Sequence, residues 1–332
     1  MPTPDQSSRS DSESGAAAGH PGTGVLRIAT RESPLAMWQA LHVADLLRQK
    51  GAETEIVPMV SSGDVDLRPI DGKRSVGVFT KRIQQALLDG EGDLAVHSMK
   101  DLPTERHPSL RMIATPDRET VHDCLVTSEG IDLDSLSDGA RIGTGSRRRG
   151  AQLLRVRPDL QILPIRGNVQ TRLQKLEAGE YDAIVLAAAG LERLEMHALP
   201  RVTLSLDIML PAPGQGALAL EVRSGDDSAI DRVRSVNVPA TAACTVAERT
   251  LLAALHGGCL APIAALGTID QAQLQLQARV LSLDGQECLQ AADQLPVDLQ
   301  GDQCEQAAAE LGRRVAADLI SQGARTLIEA GR

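Results

Sequence analysis

The sequence predicts an α/β protein whose two lobes close on a cleft, followed by a small α+β domain. Strand–turn–helix units recur from Val25 to Arg193, as they do in parallel α/β folds. The glycine- and proline-rich connection 210–216 precedes a strand at 217–222 that would cross back into the first lobe, so that two crossings act as hinges. An alternating apolar–polar pattern at 273–283 sets the last portion apart.

Size and composition limit the possible functions. The chain has 332 residues, which is enough for two or three domains. Trp38, Tyr181 and Phe79 are its only Trp, Tyr and Phe residues, so we expect an aliphatic core. A net charge of −10 and the scarcity of base-stacking aromatics argue against nucleic-acid binding.

Several patterns bear on location. No apolar run approaches the ~20 residues of a membrane span, so we expect no membrane association. Residues 1–22 are rich in Ser, Gly, Pro and Ala and lack the apolar centre of a signal peptide, which predicts a disordered tail and a cytoplasmic protein. The cysteines are odd in number and lack C-x-x-C spacing, so reduced thiols fit better than a zinc site or a disulfide framework.

The sequence predicts three strands in the first lobe, with a helix after each of the first two. In chain order these elements are 25–29, 35–49, 55–60, 79–88 and 94–96. Arg31 and Ser33 lie where the first strand gives way to a helix, which is a favourable place to hold an anion. Residues 61–77 form a polar, glycine-containing loop, interpreted either as a mobile segment over a site or as a plain surface loop.

Polar side chains follow the third predicted strand. The apolar run Leu94–Val96 gives way directly to His97, Ser98, Lys100 and Asp101. In open α/β sheets, ligands bind in the crevice beyond the carboxyl ends of the strands. The carboxylate of Asp101 beside the ammonium of Lys100 is therefore a candidate catalytic or binding pair, and a polar loop with a surface ion pair is the alternative.

The second lobe places arginines near the starts of helices. Its predicted strands are 123–127, 140–142, 162–165 and 183–187. The arginines that follow three of these strands are Arg148, Arg149, Arg166, Arg172 and Arg193. A cation at a helix N-terminus opposes the macrodipole by ~0.3–1 kcal/mol, so a negative ligand would favour this placement. Each arginine alone could be a solvated surface charge, but their convergence predicts a shared site for carboxylate or phosphate.

The third portion combines helices with a hairpin. We expect a helix at 241–255, a hairpin at Asp284-Gly285 and one long helix at 302–329. The run Gly257-Gly258-Cys259 would place its thiol in a tight exposed turn. Because free cysteine is usually buried and inert, Cys259 is the thiol to test for chemistry, and the other four are interpreted as core or bystander residues.

Seven stretches resemble one protein family, that of porphobilinogen deaminase, and occur in family order over about residues 24–330. The stretches are 27–36, 95–103, 143–149, 163–169, 181–191, 210–216 and 257–263. Several long motifs in register are more specific than any one of them. The resemblance implies two lobes of the periplasmic-binding-protein type (type II), joined by two hinge crossings, and a small C-terminal α+β domain.

The resemblance and the predicted elements together give domain limits. Residues 23–117 and 213–238 would form the first domain, and residues 118–212 the second, with the arginine-rich anion site. Residues 239–332 would form the third domain, which carries the cofactor cysteine.

The resemblance also implies the activity. Family members join four porphobilinogen molecules head to tail into hydroxymethylbilane, releasing ammonia at each step, in tetrapyrrole biosynthesis. They build the chain on a dipyrromethane cofactor held by a thioether to a cysteine, which maps to Cys259. Loss of ammonia leaves a delocalised azafulvenium cation, which a nearby carboxylate would stabilise. That role maps to Asp101, and the resemblance implies a monomer.

The resemblance also assigns binding residues, because every pyrrole carries an acetate and a propionate that cations would hold. Cofactor binding is implied for Lys100, Thr144, Ser146, Arg148 and Arg149. Binding of porphobilinogen and the growing oligopyrrole is implied for Arg31, Ser33, Ser98, Arg166, Arg172, Arg193 and Gln215. An acidic protein can still bind a polyanion when its arginines are focused in one cleft.

This chain departs from the family pattern at a few positions. The family commonly has a glycine-lysine-glycine run before the phenylalanine matched by Phe79, where this chain has Val76-Gly77-Val78, so a loop lysine is missing or displaced. Gly145 and Arg147 replace a serine and a leucine. Arg147 would either add charge to the site or face solvent.

A two-lobed binding protein or sensor for a small anion is the alternative function. The lobes and the arginines alone would fit it equally well. It would explain neither the Gly-Gly-Cys turn nor the third domain. Proteins of that kind also usually carry an export signal, which residues 1–22 lack.

Overall fold

The computed structural model describes residues 24–60, 80–258 and 261–331, and this part of the chain forms three sheets packed with helices. The predicted tail 1–22, the predicted loop 61–77 and Cys259 lie outside the described residues. Among the described helices, none is both long and apolar enough to cross a bilayer.

The strands and helices have the following bounds in chain order. The strands are β1 (Leu26–Arg31), β2 (Thr54–Met59), β3 (Leu94–Ser98), β4 (Leu110–Ala114), β5 (Asp123–Val126), β6 (Arg141–Gly143), β7 (Gln161–Leu163), β8 (Ala183–Ala187), β9 (Arg201–Thr203), β10 (Leu218–Arg223), β11 (Ile263–Asp270), β12 (Gln273–Leu281) and β13 (Cys288–Pro296). The α-helices are α1 (Pro34–Gln49), α2 (Lys81–Leu88), α3 (Arg147–Val156), α4 (Val169–Glu177), α5 (Ala188–Arg193), α6 (Asp227–Arg234), α7 (Pro239–Ala254), α8 (Cys304–Ser321) and α9 (Ala324–Ala330).

The first sheet has the strand order β2-β1-β3-β10-β4. β1 runs parallel to β2 and β3, whereas β10 is antiparallel to β3 and β4. Ile28 faces Ile56 on one side and Leu94 on the other. The inner face packs on α1 through fully buried aliphatic residues such as Val43 and Leu47, which agrees with the expected aliphatic core.

The second sheet repeats this plan with the order β7-β6-β8-β5-β9. β6 runs parallel to β7 and β8, and β5 is antiparallel to β8 and β9. Its core is also aliphatic, with Tyr181 as the aromatic member. Two α/β lobes with mixed sheets confirm the predicted fold class.

The two lobes are joined by two crossings that run side by side. Because β10 lies between β3 and β4, the chain leaves the first sheet after β4 and returns before β10, as predicted. The Glu119 N–H donates to the Gly216 carbonyl at 3.2 Å, and Arg118 Nε donates to the Gln215 carbonyl at 2.8 Å. Gly216 has φ +81°, and a Cβ there would overlap the Glu119 carbonyl oxygen, so this close approach requires glycine.

The C-terminal domain is a three-stranded antiparallel sheet, β11-β12-β13, covered by α7 and α8. The hairpin predicted at Asp284-Gly285 joins β12 to β13. The single helix predicted at 302–329 is wrong. The chain breaks it into α8 and α9 because Gly323 adopts the left-handed conformation, with φ +103°.

Candidate functional site

The site begins where β3 ends. β3 extends two residues beyond the predicted apolar run, to Ser98, and a single 3₁₀ turn, Met99–Asp101, follows it. Met99 is fully buried, and its N–H donates to the Ala217 carbonyl at 3.0 Å on the return crossing. A buried residue thus anchors the turn, and Lys100 and Asp101 follow at the carboxyl end of a strand, as predicted.

Asp101 is half-buried and unengaged within the described part of the chain. No group in residues 24–60, 80–258 or 261–331 forms a hydrogen bond or an ion pair with its carboxylate. Burial lowers the pKa of Lys100 and of Arg172, and the negative charge of Asp101 partly offsets this effect in both. The carboxylate therefore lies near two cations and keeps its oxygens available to a ligand.

Arg148 and Arg149 share one buried carboxylate. Arg148 Nη2 lies 2.8 Å from Asp123 Oδ2, Arg149 Nη2 lies 2.7 Å from Asp123 Oδ1, and Asp123 is 0% exposed. Gln215 Nε2 donates to Asp123 Oδ1 at 3.0 Å. Burial alone would raise the pKa of Asp123, but the two guanidinium groups hold it well below its ordinary value. Asp123 thus stays ionised and fixes both arginines.

The turn before α3 uses the two hydroxyls that were predicted to bind the cofactor. Ser146 is the N-cap of α3, and its Oγ accepts from the Arg149 N–H at 3.4 Å. Thr144 Oγ1 accepts from the Ser146 N–H at 3.1 Å. Both side chains therefore shape the turn that presents Arg148 and Arg149.

Arg172 and Arg166 flank the start of α4. Asn168 caps this helix by accepting from the Thr171 N–H at 2.9 Å, and Arg172 Nε donates to the Gly167 carbonyl at 2.9 Å. Burial, together with the charges of Arg149 and Arg166, lowers the pKa of Arg172 to about 10. Such mutual repulsion requires these guanidinium groups to be close together.

Lys100 connects the two lobes electrostatically. Its Nζ lies 3.4 Å from Gln215 Oε1. Burial and the neighbouring Arg149 guanidinium lower the pKa of Lys100 to about 8, although Asp101 and Asp123 act in the opposite direction.

We call the five cations that these effects place together the cationic cluster. Its members are Lys100, Arg148, Arg149, Arg166 and Arg172. The negative charges of Asp101 and Asp123 act on the pKa of Lys100, and that of Asp101 acts on the pKa of Arg172, so five cations and two carboxylates lie together among the described residues. Such a site suits a ligand with several carboxylates.

Three further predicted residues lie at the same edge of the first sheet. Arg31 ends β1, and Ser33 is the N-cap residue of α1. Ser98 ends β3, where its Oγ accepts from Gln39 Nε2 at 2.9 Å. Because β1 and β3 are parallel neighbours, their carboxyl ends bring these residues to one edge of the sheet.

Arg193 differs from its predicted placement. It is the last residue of α5 rather than a residue near its start, so its charge complements the helix dipole. Its Nη2 donates to the Gly216 carbonyl at 2.6 Å, and its guanidinium lies 5.8 Å from the centre of the Trp38 ring. Burial lowers the pKa of Arg193 to about 10. These contacts attach Arg193 to the return crossing rather than to the cationic cluster.

Three residues that join the domains were not predicted as functional. Glu248 on α7 is 0% exposed and binds Arg118 through two bonds of 2.7 and 3.1 Å. It also accepts from the N–H groups of Gly214 at 2.6 Å and Gly267 at 2.8 Å. The next residue, Arg249, donates to the turn that carries Asp101. The available signal was two adjacent charges in an otherwise uncharged helix.

Arg147 neither joins the cationic cluster nor simply faces solvent. It donates to the carbonyl of Gly331, beyond the end of α9. This residue, which replaces a leucine common in the family, therefore links the second lobe to the C-terminal domain.

The described cysteines are poor candidates for chemistry. Cys124 and Cys244 are buried, and burial raises the pKa of Cys244 to about 12. Cys288 and Cys304 are half-buried. No group of His, Cys, Asp and Glu residues suited to a metal ion occurs among the residues that the structure describes.

The chain matches two family models, one over the two lobes and one over the C-terminal domain. Residues 26–231 match the porphobilinogen deaminase, dipyrromethane cofactor binding domain, and residues 242–321 match the porphobilinogen deaminase C-terminal domain.

Curated relatives give the same result over almost the whole chain. A porphobilinogen deaminase from Acidothermus cellulolyticus is 46% identical over 313 residues, which cover 92% of each chain. One from Corynebacterium efficiens is 42% identical, covering 92% of this chain and 99% of the relative. Among solved structures, the substrate binding protein of an amino acid ABC transporter matches 64% of this chain and 91% of its own, with 18% identity and a TM-score of 0.37. On the family models and the curated relatives, the chain belongs to the porphobilinogen deaminase family.

Proposed function

We propose that Asp101 is the catalytic carboxylate of this enzyme, that the cationic cluster holds the carboxylates of its cofactor and substrate, and that Cys259 carries the cofactor. The single observation that supports this assignment most strongly is the Asp101 carboxylate, which forms no hydrogen bond or ion pair within the described residues and lies beside the cationic cluster.

The reaction itself follows from family membership. The chain is a transferase, a hydroxymethylbilane synthase, which joins four porphobilinogens with release of ammonia in tetrapyrrole biosynthesis. The alternative of an anion receptor without catalysis is not favoured.

The residues present fit the dipyrromethane cofactor. Its two pyrroles carry acetates and propionates, which guanidinium and ammonium groups such as those of the cationic cluster bind. We assign Lys100, Arg148 and Arg149 to these carboxylates, with Thr144 and Ser146 shaping the turn that presents the arginines. When bound, the cofactor supplies the first pyrrole to which a substrate carbon is joined.

Asp101 would act on the incoming substrate. When the C–N bond of the protonated aminomethyl group of porphobilinogen breaks, its electron pair leaves with ammonia and the pyrrole becomes cationic. The Asp101 carboxylate offsets this charge and accepts the pyrrole N–H. A C–C bond then forms, and the proton lost from the attacked ring carbon converts the released ammonia to ammonium. A carboxylate committed to an arginine, as Asp123 is, would offer much less to the cation.

The substrate carboxylates need their own cations. We assign Arg166 and Arg172 to them from the second lobe, and Arg31, Ser33 and Ser98 from the first. Gln215 would position Lys100 through its 3.4 Å contact, and Arg193 would hold the crossing between the lobes. Binding between two lobes would exclude water from the reacting carbon, which strengthens each of these electrostatic contacts.

The turnover of Asp101 variants tests the catalytic assignment. We expect Asp101→Asn to lose at least about 100-fold in kcat, because removing one electrostatic contact to a developing charge costs that much in other enzymes. Asp101→Glu should retain more activity because it keeps the charge. Asp138→Asn, which alters an exposed carboxylate, should match the parent enzyme. Near-parental ammonia release by Asp101→Asn would refute the assignment.

The mass of the purified protein tests the role of Cys259. We expect a mass above the sequence mass by one dipyrromethane, and a pyrrole colour with acidic dimethylaminobenzaldehyde. Cys259→Ser should lose both, whereas Cys288→Ser, a half-buried thiol on β13, should keep both. An added mass that persists in Cys259→Ser would place the attachment elsewhere.

We also propose a cytoplasmic monomer with the domain limits given by sequence. A net charge of −10 supports a protein that stays dissociated, and free buried thiols are consistent with a reducing compartment. Sedimentation equilibrium at micromolar concentration should give the mass of one chain, and a dimer mass would contradict this.

A further inference from the structure

Arg249 on α7 holds the turn that carries Asp101. Its Nη1 donates to the carbonyls of Met99 at 3.3 Å and Leu102 at 3.1 Å, and its Nη2 donates to the carbonyl of Pro103 at 2.6 Å. One side chain of the C-terminal domain therefore binds three backbone carbonyls on both sides of Asp101.

The planar guanidinium is suited to this task. Its N–H groups form a fixed fork, so three carbonyls that accept from it are fixed relative to one another. A lysine ammonium is a single point with no such plane. Arg249 therefore sets the shape of the turn as well as its attachment to α7.

The position of Asp101 depends on this backbone. Within the described residues, no side chain forms a hydrogen bond or an ion pair with its carboxylate, so among these residues the backbone of 99–103 is what places Asp101. Met99 anchors the start of the turn through burial and its bond to Ala217. Arg249 binds the turn at both ends.

The same guanidinium also lies near a second buried group. Burial raises the pKa of Glu221, a residue on β10 that lies 3.4 Å from His97, but His97, Gln84 and the positive charge of Arg249 together lower it. The alternative is a purely structural role, in which the charge of Arg249 compensates that of Glu221. The Lys variant separates the two roles, since it keeps the charge but loses the fork.

We propose that Arg249 is a positioning residue that aims the Asp101 carboxylate at the reacting pyrrole and ties its position to α7, which leads towards Cys259. This inference rests on the proposed catalytic role of Asp101. It adds a link between the helix that precedes the cofactor thiol in sequence and the turn that performs the chemistry.

The first test compares Arg249→Gln and Arg249→Lys with a matched control. Arg279→Gln removes another arginine of the C-terminal domain that donates to a backbone carbonyl, that of Asp207, far along the chain from Asp101. We expect Arg249→Gln to carry dipyrromethane, as judged by mass, to keep its KM within about 3-fold, and to lose about 10- to 100-fold in kcat, since a displacement of about 1 Å can cost that much. Arg249→Lys should be intermediate, and Arg279→Gln should equal the parent.

The second readout is amide hydrogen exchange in the holoenzyme without substrate. Residues 99–104 should exchange at least about 10-fold faster in Arg249→Gln than in the parent or in Arg279→Gln, because their carbonyls lose a common anchor. Parental exchange in this segment, or parental kcat in Arg249→Gln, would overturn the proposal.

A double-mutant cycle separates positioning from general destabilisation. If Arg249 acts through Asp101, Arg249→Gln should cost little further activity in the Asp101→Glu background, whose carboxylate is already displaced. Independent multiplication of the two losses would show a structural role and overturn the proposal. Failure of the catalytic assignment is seen separately, as turnover by Asp101→Asn.

Discussion

The two lobes share one strand plan and differ in where they put their charge. The orders β2-β1-β3-β10-β4 and β7-β6-β8-β5-β9 correspond strand for strand, with β1 matching β6 and β3 matching β8. The first lobe follows β3 with a turn that carries Lys100 and Asp101, whose carboxylate binds no group within the described residues. The second lobe follows β6 with Arg148 and Arg149, both committed to Asp123. The topology therefore provides the positions, and the pairing of charges decides what each position does.

The two carboxylates show this difference most directly. Asp123 is fully buried and holds two guanidinium groups, so it orders the cations. Asp101 is half-buried and holds none within the described residues, so it can respond to a ligand. A carboxylate of the first kind should matter for stability, and one of the second kind should matter for turnover.

Asp123→Asn should give the largest effect on stability. Removing one partner of a buried ion pair leaves two arginines uncompensated, and this costs about 3–5 kcal/mol. Asp101→Asn should change the free energy of unfolding by less than about 1 kcal/mol, because it breaks no described contact. Urea unfolding of both variants measures the difference. Equal losses in the two variants would contradict the different roles assigned to Asp123 and Asp101.

The pH dependence of stability tests whether the pKa of Lys100 is lowered in the folded chain. Its pKa is about 8 in the folded chain and 10.5 ordinarily, so the unfolded chain binds more protons between these values. Stability should therefore rise from pH 8 towards pH 10, by on the order of 1–2 kcal/mol after allowance for solvent screening. Unfolding of Cys259→Ser, which has no thiol to attach the cofactor, measures this.

The control for this experiment is Lys100→Met in the same Cys259→Ser background. It removes the titrating group, so the rise attributable to Lys100 should disappear. An unchanged slope would show that the pKa of Lys100 is not depressed in the folded chain.

Arg147→Leu, which restores the residue common in the family, should give the smallest effect. It loses one hydrogen bond, to Gly331, so we expect a loss of about 1 kcal/mol in the free energy of unfolding and unchanged turnover. Arg155→Leu, an exposed arginine on the same helix, is the control. A loss of turnover in Arg147→Leu would mean that the docking of α3 on the C-terminal domain affects Arg148 and Arg149.

Local patterns predicted much of this fold. The nine predicted strands are present within two residues at their ends, because apolar runs and turn residues determine them locally. The strands β4, β9, β11 and β13 were not predicted. β4 and β9 are short and pair with strands that are distant in sequence, whereas β11 is interrupted by Gly267 and β13 is rich in polar residues. The break at Gly323 was also missed, because the amphipathic pattern continues across it.

Part of the candidate site was also predictable from the sequence, and part was not. The cationic cluster follows from arginines and a lysine placed beyond strand ends, and family resemblance sharpened their roles. Asp123 gave no signal beyond its place in a strand, because its two partners are more than 20 residues away. Glu248 and Arg249 were likewise visible only as adjacent charges, since their partners lie on other domains.

The contacts of α3 and α7 limit how far the cleft can open. The C-terminal domain touches the second lobe through Arg147 and through Gly285, which packs so tightly on α3 that a Cβ there would overlap the helix backbone. It touches the first lobe and the crossings through Arg249 and Glu248. A wide separation of the lobes would have to break one of these two sets of contacts. A lengthening product would therefore be accommodated without breaking either set of contacts only through small displacements along them.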